Sequence, residues 1–156
     1  MEKYMLLALE QAKLAFKADE VPVGACIVKN NEVIALGHNL KESGQNALHH
    51  AEIIAINDAC KALNSWRLTD CEIYVTLEPC PMCAGAIIQS RISRVIFGAF
   101  DPKAGCIETL YSLTSDKRFN HTCEAVGGVL EDKCSALLTN YFKIKRIQSR
   151  NDISSN

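Results

Sequence analysis

The sequence predicts a three-layer α/β/α domain with one mixed five-stranded sheet between helices on both faces. A chain of 156 residues has about the length of one domain. Five short apolar segments have the length of strands, and after an opening hairpin they alternate with helical patterns. Hydrophobic residues make up 48% of the chain and charged residues 22%, which is typical of a globular protein. We expect a single domain over residues 1–147 and a flexible tail over 148–156.

The first quarter of the chain predicts one helix and one hairpin. Apolar residues recur at steps of three and four through residues 2–18, as in an amphipathic helix packed on a core. The apolar runs 23–29 and 33–37 are separated by Asn30 and Asn31, which tolerate the left-handed conformation of a tight turn. These runs therefore predict an antiparallel strand pair.

A loop, two helices and a buried strand are predicted next. Residues 39–49 are polar and aperiodic, which indicates a loop, and the apolar stripe over 53–63 indicates a helix. Residues 71–77 have the composition of a buried strand. Pro81 favours a helix start, and the pattern continues helically over 82–90.

The last third predicts two more strands and a closing helix. Residues 94–99 form another buried apolar run, and 123–129 have the pattern of an edge strand. A short segment is expected near 107–113 and a helix over 131–147. If neighbouring strands are parallel, the functional edge of the sheet lies at their carboxyl ends.

Charge and targeting signals exclude several classes of protein. The formal net charge is −1, so no strong overall field attracts a polyanion, and any contact with nucleic acid must be local. The last 16 residues form a small basic region. The N-terminus lacks the apolar stretch of a signal peptide, and no apolar run is long enough to span a bilayer. We therefore expect a cytoplasmic protein with no membrane partner.

Two of the eight cysteines form a C-x-x-C motif at a predicted helix start. Free backbone N–H groups there favour the thiolate of Cys80, the form that binds metals, and Cys83 follows three residues later. The motif alone is weak, because a redox-active pair of the thioredoxin type has the same spacing. In a reducing cytosol the other six cysteines are interpreted as ordinary thiols.

A histidine and a glutamate at another helix start strengthen the metal interpretation. His50 and Glu52 begin the preceding helix, so one imidazole and two thiolates are expected to converge on one zinc ion per chain. Three protein ligands leave the fourth position open to water, as in catalytic sites, and bound zinc lowers the pKa of that water to about 7. Glu52 is then placed to carry the proton of that water to a ring nitrogen and a leaving group, which suits hydrolytic deamination.

Two alternatives for the metal site stay open. His49 is an alternative ligand to His50, although only His50 has the H-x-E spacing. A structural zinc site with four protein ligands would need a further residue such as Cys106 or Cys123, and the chain would then be a zinc-stapled binding module.

The H-x-E and P-C-x-x-C motifs resemble the zinc nucleoside and nucleobase deaminases, whose mechanism is already known. Within that superfamily the chain is similar, from about residue 4 to about 147, to the bacterial tRNA-specific adenosine deaminases. That family converts the wobble adenosine of an arginine tRNA to inosine. The segments that carry the resemblance are Glu20–Ala25, His38–Asn39, Ser65–Leu68, Tyr74–Cys83, Ser90–Ile92, Phe97–Ala99 and Phe119–His121.

The resemblance implies a cytidine-deaminase-like fold and a set of site residues. Zinc would be held by His50, Cys80 and Cys83, with Glu52 as the proton shuttle. Contacts with the flipped adenosine would come from Asn39 and Ala51.

The resemblance also implies a homodimer that binds the tRNA anticodon stem-loop, and no DNA partner. RNA contacts are expected from Asp101 and from Phe142 and Arg146 in the last helix. Residues 47–49 read Ala-Leu-His where the family most often has Pro-Thr-Ala, so loop rigidity and groove contacts are expected to differ. Free nucleobase or nucleotide deaminases that act on guanine, cytosine or deoxycytidylate share both motifs, and they remain the alternative activity.

Overall fold

The computed structural model describes all residues, Met1–Asn156, and confirms the α/β/α architecture. The four helices are α1 (Glu2–Lys17), α2 (Ala51–Leu63), α3 (Pro81–Gln89) and α4 (Glu131–Ser154). The five strands are β1 (Gly24–Lys29), β2 (Glu32–His38), β3 (Cys71–Leu77), β4 (Arg94–Ala99) and β5 (Glu124–Val126). None of the helices is both long enough and apolar enough to cross a membrane.

The sheet is mixed, with strand order β2-β1-β3-β4-β5. β1 runs antiparallel to both β2 and β3, whereas β3, β4 and β5 are parallel. Asn30 and Asn31 have φ values of 50° and 63°, which confirms the left-handed turn of the predicted hairpin. The carboxyl ends of β3 and β4 consequently lie at one edge of the sheet.

Two hydrophobic clusters lie on opposite faces of the sheet. The larger one packs residues of α2 and α3 against inward residues of β1, β3 and β4. The smaller one packs α1 and the start of α4 against the other face. Helices therefore cover both faces, as the alternating pattern of strands and helices predicts.

Close approach between α2 and β2 fixes where α2 begins. A Cβ atom at Gly37 would overlap the carbonyl oxygen of Ala51, so only glycine lets the first turn of α2 lie on the end of β2. His50 immediately precedes that turn and is thereby held at the edge where β3 and β4 end.

Two predicted segments differ from the structure. Helix α4 continues to Ser154 instead of ending at residue 147, so residues 148–154 are helical and not an irregular tail. No glycine or proline interrupts that stretch, so nothing in the local sequence breaks the helix there, although its side chains are exposed. The mobility of this end stays a prediction. The segment near 107–113 forms turns, followed by a short 3₁₀ helix at Leu113–Ser115.

Candidate active site

Two helix starts bring the three candidate metal ligands together. His50 is the N-cap of α2 and Cys80 the N-cap of α3, both with extended backbone, and Cys83 lies in the first turn of α3. The Nδ1 atom of His50 lies 3.6 Å from the sulfur of Cys80 and 3.6 Å from the sulfur of Cys83. The three ligand atoms all lie within 4.8 Å of one another.

These distances fit a tetrahedral zinc ion. Zn–N bonds of about 2.0–2.1 Å and Zn–S bonds of about 2.3 Å at tetrahedral angles place nitrogen and sulfur about 3.6 Å apart. Neither Cys106 nor Cys123 joins the group, so the structure supplies no fourth protein ligand of the kind that a closed structural site needs. His49 is also outside it and instead has its Nε2 atom 3.2 Å from the Asn46 amide nitrogen.

The same proximity perturbs the ionisation of the ligands. A hydrogen bond from the Cys83 thiol, together with the nearby His50 ring, lowers the pKa of Cys80 to about 4 despite burial. The Cys83 pKa is raised, first because that thiol is the donor of the pair and then because it is buried. The hydrogen bond with Cys80 raises the pKa of His50. The shared hydrogen bond thus shifts the pKa values of the two thiols in opposite directions.

Glu52 lies in the first turn of α2 and is almost completely buried, with 3% of its surface exposed. Burial raises the pKa of its carboxyl, while a hydrogen bond with Cys83 acts in the opposite direction. A buried carboxyl next to the ligands, with its pKa raised, is suited to accept and return a proton.

A cavity of about 220 Å³ opens over the ligand group. Its walls come from the end of the hairpin, the loop before α2, the start of α2, and the segments that follow β3 and β4. The lining residues are Val21, Val23, Asn39, Lys41, His50, Ala51, Glu52, Leu77, Glu78, Cys80, Asp101 and Ala104.

Asn39 and Ala51 both lie in this wall, as the sequence predicts for substrate contacts. The Asn39 side chain is 8% exposed, donates from Nδ2 to the Val21 carbonyl at 3.3 Å, and accepts from the Lys41 N–H at 3.3 Å. Because both ends of the amide are held, its orientation at the cavity is fixed. Ala51 is fully buried and presents only a methyl group and backbone.

Two buried carboxylates that the sequence analysis does not single out hold the cavity walls. Glu20 accepts hydrogen bonds from the N–H groups of Glu42 and Ser43 and from the Ser43 hydroxyl. Glu78 accepts from four backbone N–H groups over residues 101–109 and from the Thr109 hydroxyl. These bonds keep the pKa of each carboxyl below its ordinary value although burial opposes this. The only sequence signal was an acid placed next to apolar, strand-like segments.

Of the three predicted RNA contacts, the structure places one at the cavity. Asp101 lines it, although its Oδ1 atom accepts from the N–H groups of Lys103 and Ala104, so it also forms the turn expected before Pro102. Phe142 and Arg146 do not line the cavity; both are exposed on α4.

Helix α4 nevertheless contacts the segment just before Val21, which lines the cavity. The Tyr141 hydroxyl donates to the Asp19 carbonyl, and Lys145 forms an ion pair with the Asp19 carboxylate. Asp19 directly precedes Glu20, which holds the loop at the cavity, so Phe142 lies on an element attached to that rim.

His121 is not near the ligand group. Its Nε2 atom lies 2.7 Å from the carbonyl oxygen of Ile92, the position of a donated hydrogen bond. Its ring is therefore satisfied by the backbone and is not available to the ligand group.

Comparison with known proteins identifies relatives over nearly the whole chain. A family model described as MafB19-like deaminase matches residues 1–146. The tRNA-specific adenosine deaminase of Bacillus subtilis (strain 168) is 53% identical over 142 residues, covering 91% of this chain and 88% of that protein. A solved structure from studies of A-to-I editing by tRNA:A34 deaminases at the wobble position has a TM-score of 0.85 and 40% identity, covering 88% of this chain and all of the other. The guanine deaminase of Nitrosomonas europaea has a TM-score of 0.77 and 26% identity, covering 90% and 83%.

Proposed function

The chain belongs to the tRNA-specific adenosine deaminases, a family of hydrolases, and on that premise we propose that it converts the wobble adenosine of an arginine tRNA to inosine. The observation that carries the proposal is the ligand triad of His50, Cys80 and Cys83 with the buried Glu52 beside it, at the base of one cavity. The reaction consumes water and releases ammonia as adenine becomes hypoxanthine.

We assign the zinc-binding role to His50, Cys80 and Cys83, with one ion per chain. Zinc, when bound there, supplies an activated water to the site. Glu52 would carry one proton of the attacking water to the ring nitrogen of the base. After the C–O bond has formed, it would carry the second proton of that water to the departing amine, which leaves as ammonia. Its burial keeps the carboxyl out of bulk water, and its place in the first turn of α2 keeps it next to the ligands.

The base is held by the cavity wall. Asn39 offers a fixed amide to the polar edge of the adenine or to its ribose, and Ala51 gives close backbone and methyl contact on one side. A loop nucleotide suits such a cavity, because extruding an unpaired base costs less than opening a duplex.

The RNA itself is proposed to contact the surface around the cavity. Asp101 lies at the mouth, and Phe142 and Arg146 lie on the exposed side of α4, where an aromatic ring and a guanidinium can stack on splayed bases. We further propose that the enzyme is a homodimer, acts in the cytoplasm and has no DNA substrate.

A second activity is favoured by one specific observation. The fold is similar to that of a guanine deaminase, an enzyme named for a free purine base. Deamination of free guanine is therefore the alternative.

The deciding experiment is inosine formation by the purified, zinc-analysed protein. The substrates are an anticodon stem-loop with a wobble adenosine and, in parallel, free adenosine, guanine and cytosine. Conversion of the RNA alone is expected. Conversion of guanine alone would overturn the RNA assignment and leave the zinc chemistry intact.

A further inference from the structure

The mouth of the cavity carries one cationic side chain that the proposed reaction does not yet use. Lys41 is the only lysine or arginine among the lining residues, and it is exposed. It takes part in no ion pair, whereas Lys145, which lies near the same rim, is paired with Asp19. Its ammonium group is thus available to a ligand.

The other charged groups of the cavity are committed to the protein. Glu52 is buried beneath the mouth, Glu78 is saturated by backbone N–H groups, and the Asp101 carboxylate closes its own turn. These three acids and a net charge of −1 would repel a phosphate that approaches the cavity. A polyanionic substrate therefore needs a local positive charge at this point.

The backbone that carries Lys41 is fixed on both sides. Its N–H donates to the Oδ1 atom of Asn39, so its position is tied to the side chain assigned to the substrate. The next two residues, Glu42 and Ser43, donate their N–H groups to the buried carboxylate of Glu20. Because the loop is held, only the four-carbon stem of Lys41 must be ordered when a ligand binds.

The structure of an extruded nucleotide indicates which group Lys41 would contact. The base enters the cavity, while the ribose and its two phosphates stay at the mouth, since their charge keeps them in water. We propose that Lys41 pairs with a phosphate that flanks the target adenosine and so favours a nucleotide within an RNA chain over a free base or nucleoside. This inference rests on the proposed function, of which it specifies one contact.

The test measures deamination of the anticodon stem-loop by Lys41→Gln. Removing a charge-assisted contact is expected to raise KM about tenfold, with a much smaller change in kcat. The slope of the logarithm of the association constant against the logarithm of the salt concentration is expected to become shallower by about 0.7, the value for one phosphate of a single strand. Lys41→Arg keeps the charge and is expected to restore most of the affinity. Lys61→Gln is the matched control, because Lys61 is exposed on α2 with only an i,i+3 partner and does not line the cavity.

Stem-loops in which a single phosphate is replaced by a neutral group identify the phosphate that Lys41 contacts. Stem-loops are made with a methylphosphonate at the phosphate on either the 5′ or the 3′ side of the target adenosine. On one of these two modified stem-loops, the wild type is expected to lose as much affinity as Lys41→Gln loses on the unmodified RNA. Lys41→Gln should then bind that modified stem-loop no more weakly than it binds the unmodified RNA.

The inference is overturned if the wild type is active on the stem-loop and Lys41→Gln has the same KM and the same salt dependence as the wild type. Losses that simply add for both methylphosphonates overturn it as well. Failure of the proposed function is recognised separately, because the wild type itself would then form no inosine on the stem-loop.

Discussion

Glu20→Gln tests whether a buried carboxylate builds one wall of the cavity. Glu20 is 0% exposed, and its two oxygens accept from the Ser43 N–H at 2.6 Å, the Ser43 hydroxyl at 2.7 Å and the Glu42 N–H at 3.1 Å. Glutamine has nearly the same shape but replaces one oxygen by an NH₂ group. If the remaining oxygen keeps both Ser43 bonds, the NH₂ group faces the Glu42 N–H, and two donors oppose each other.

The magnitude follows from the groups left unpaired. An orphaned, partly buried N–H costs about 1–3 kcal/mol, and the two Ser43 bonds also lose their charge assistance. Glutamine is neutral, so it avoids the cost of burying a charge and the repulsion from Asp19, and this offsets part of the lost charge assistance. We therefore expect the free energy of unfolding to fall by about 1–3 kcal/mol. Glu10→Gln, on the exposed surface of α1, is the matched control and should change it by less than about 0.5 kcal/mol.

The assay is urea unfolding of both variants and the wild type at equal zinc content, as a function of pH. The Glu20 pKa is lower in the folded protein than its ordinary value, so the carboxylate stabilises the fold fully above the unfolded-state pKa, about 4.3, and loses this contribution progressively as the pH falls through the lowered folded-state pKa. The difference in free energy of unfolding between wild type and Glu20→Gln should be constant above about pH 5.5 and should shrink as the pH falls below about 4.3. A gap that is absent at neutral pH, or that widens on acidification, would refute the reasoning.

Five other changes have defined outcomes. Glu52→Ala should keep its zinc and lose about 10²–10⁴-fold in deamination rate, and inosine formation at the wild-type rate would remove Glu52 from the proton transfer. Cys83→Ala should lose zinc in elemental analysis, whereas Cys106→Ala should retain it; loss of zinc from the latter would indicate a fourth protein ligand. Gly105→Ala should lower the thermal midpoint by several degrees, because its Cβ would overlap the Glu78 carboxylate. Deleting residues 148–156 should change the free energy of unfolding by less than about 0.5 kcal/mol in a urea titration, since those side chains are exposed, and a larger loss would show that the end of α4 packs on the domain.

The sequence predicts elements best where one local pattern decides the structure. The bounds of β3 and β4 match the apolar runs 71–77 and 94–99, because buried strands need continuous apolar residues. The end of α4 lies beyond the predicted bound, because the apolar pattern stops near residue 147, whereas residues 148–154 contain no glycine or proline that would end the helix.

The packing of Tyr141 affects how the role of α4 in RNA binding should be tested. Phe142 and Arg146 follow Tyr141, whose ring packs edge-on against Phe16 and whose hydroxyl donates to Asp19. A deletion that begins at Tyr141 would remove a buried side chain along with the proposed RNA surface, so a loss of activity would not show that RNA contacts were lost. Point substitution of Arg146 separates the two effects.

The ligand triad could be predicted because its members lie at helix starts that the chain marks locally. Pro81 and the apolar pattern after Cys80 mark one start, and His50 precedes the other after an aperiodic loop. The roles of Glu20 and Glu78 could not be predicted, because each depends on N–H groups more than 20 residues away that only the folded loops present. A buried acid next to apolar residues is costly unless such donors exist. Both acids occur at the ends of apolar segments that meet at the cavity, and the cost of burying each is offset by the loop N–H groups that donate to it. Because residues of these loops line the cavity beside His50 and Cys80, the loops are part of the candidate site.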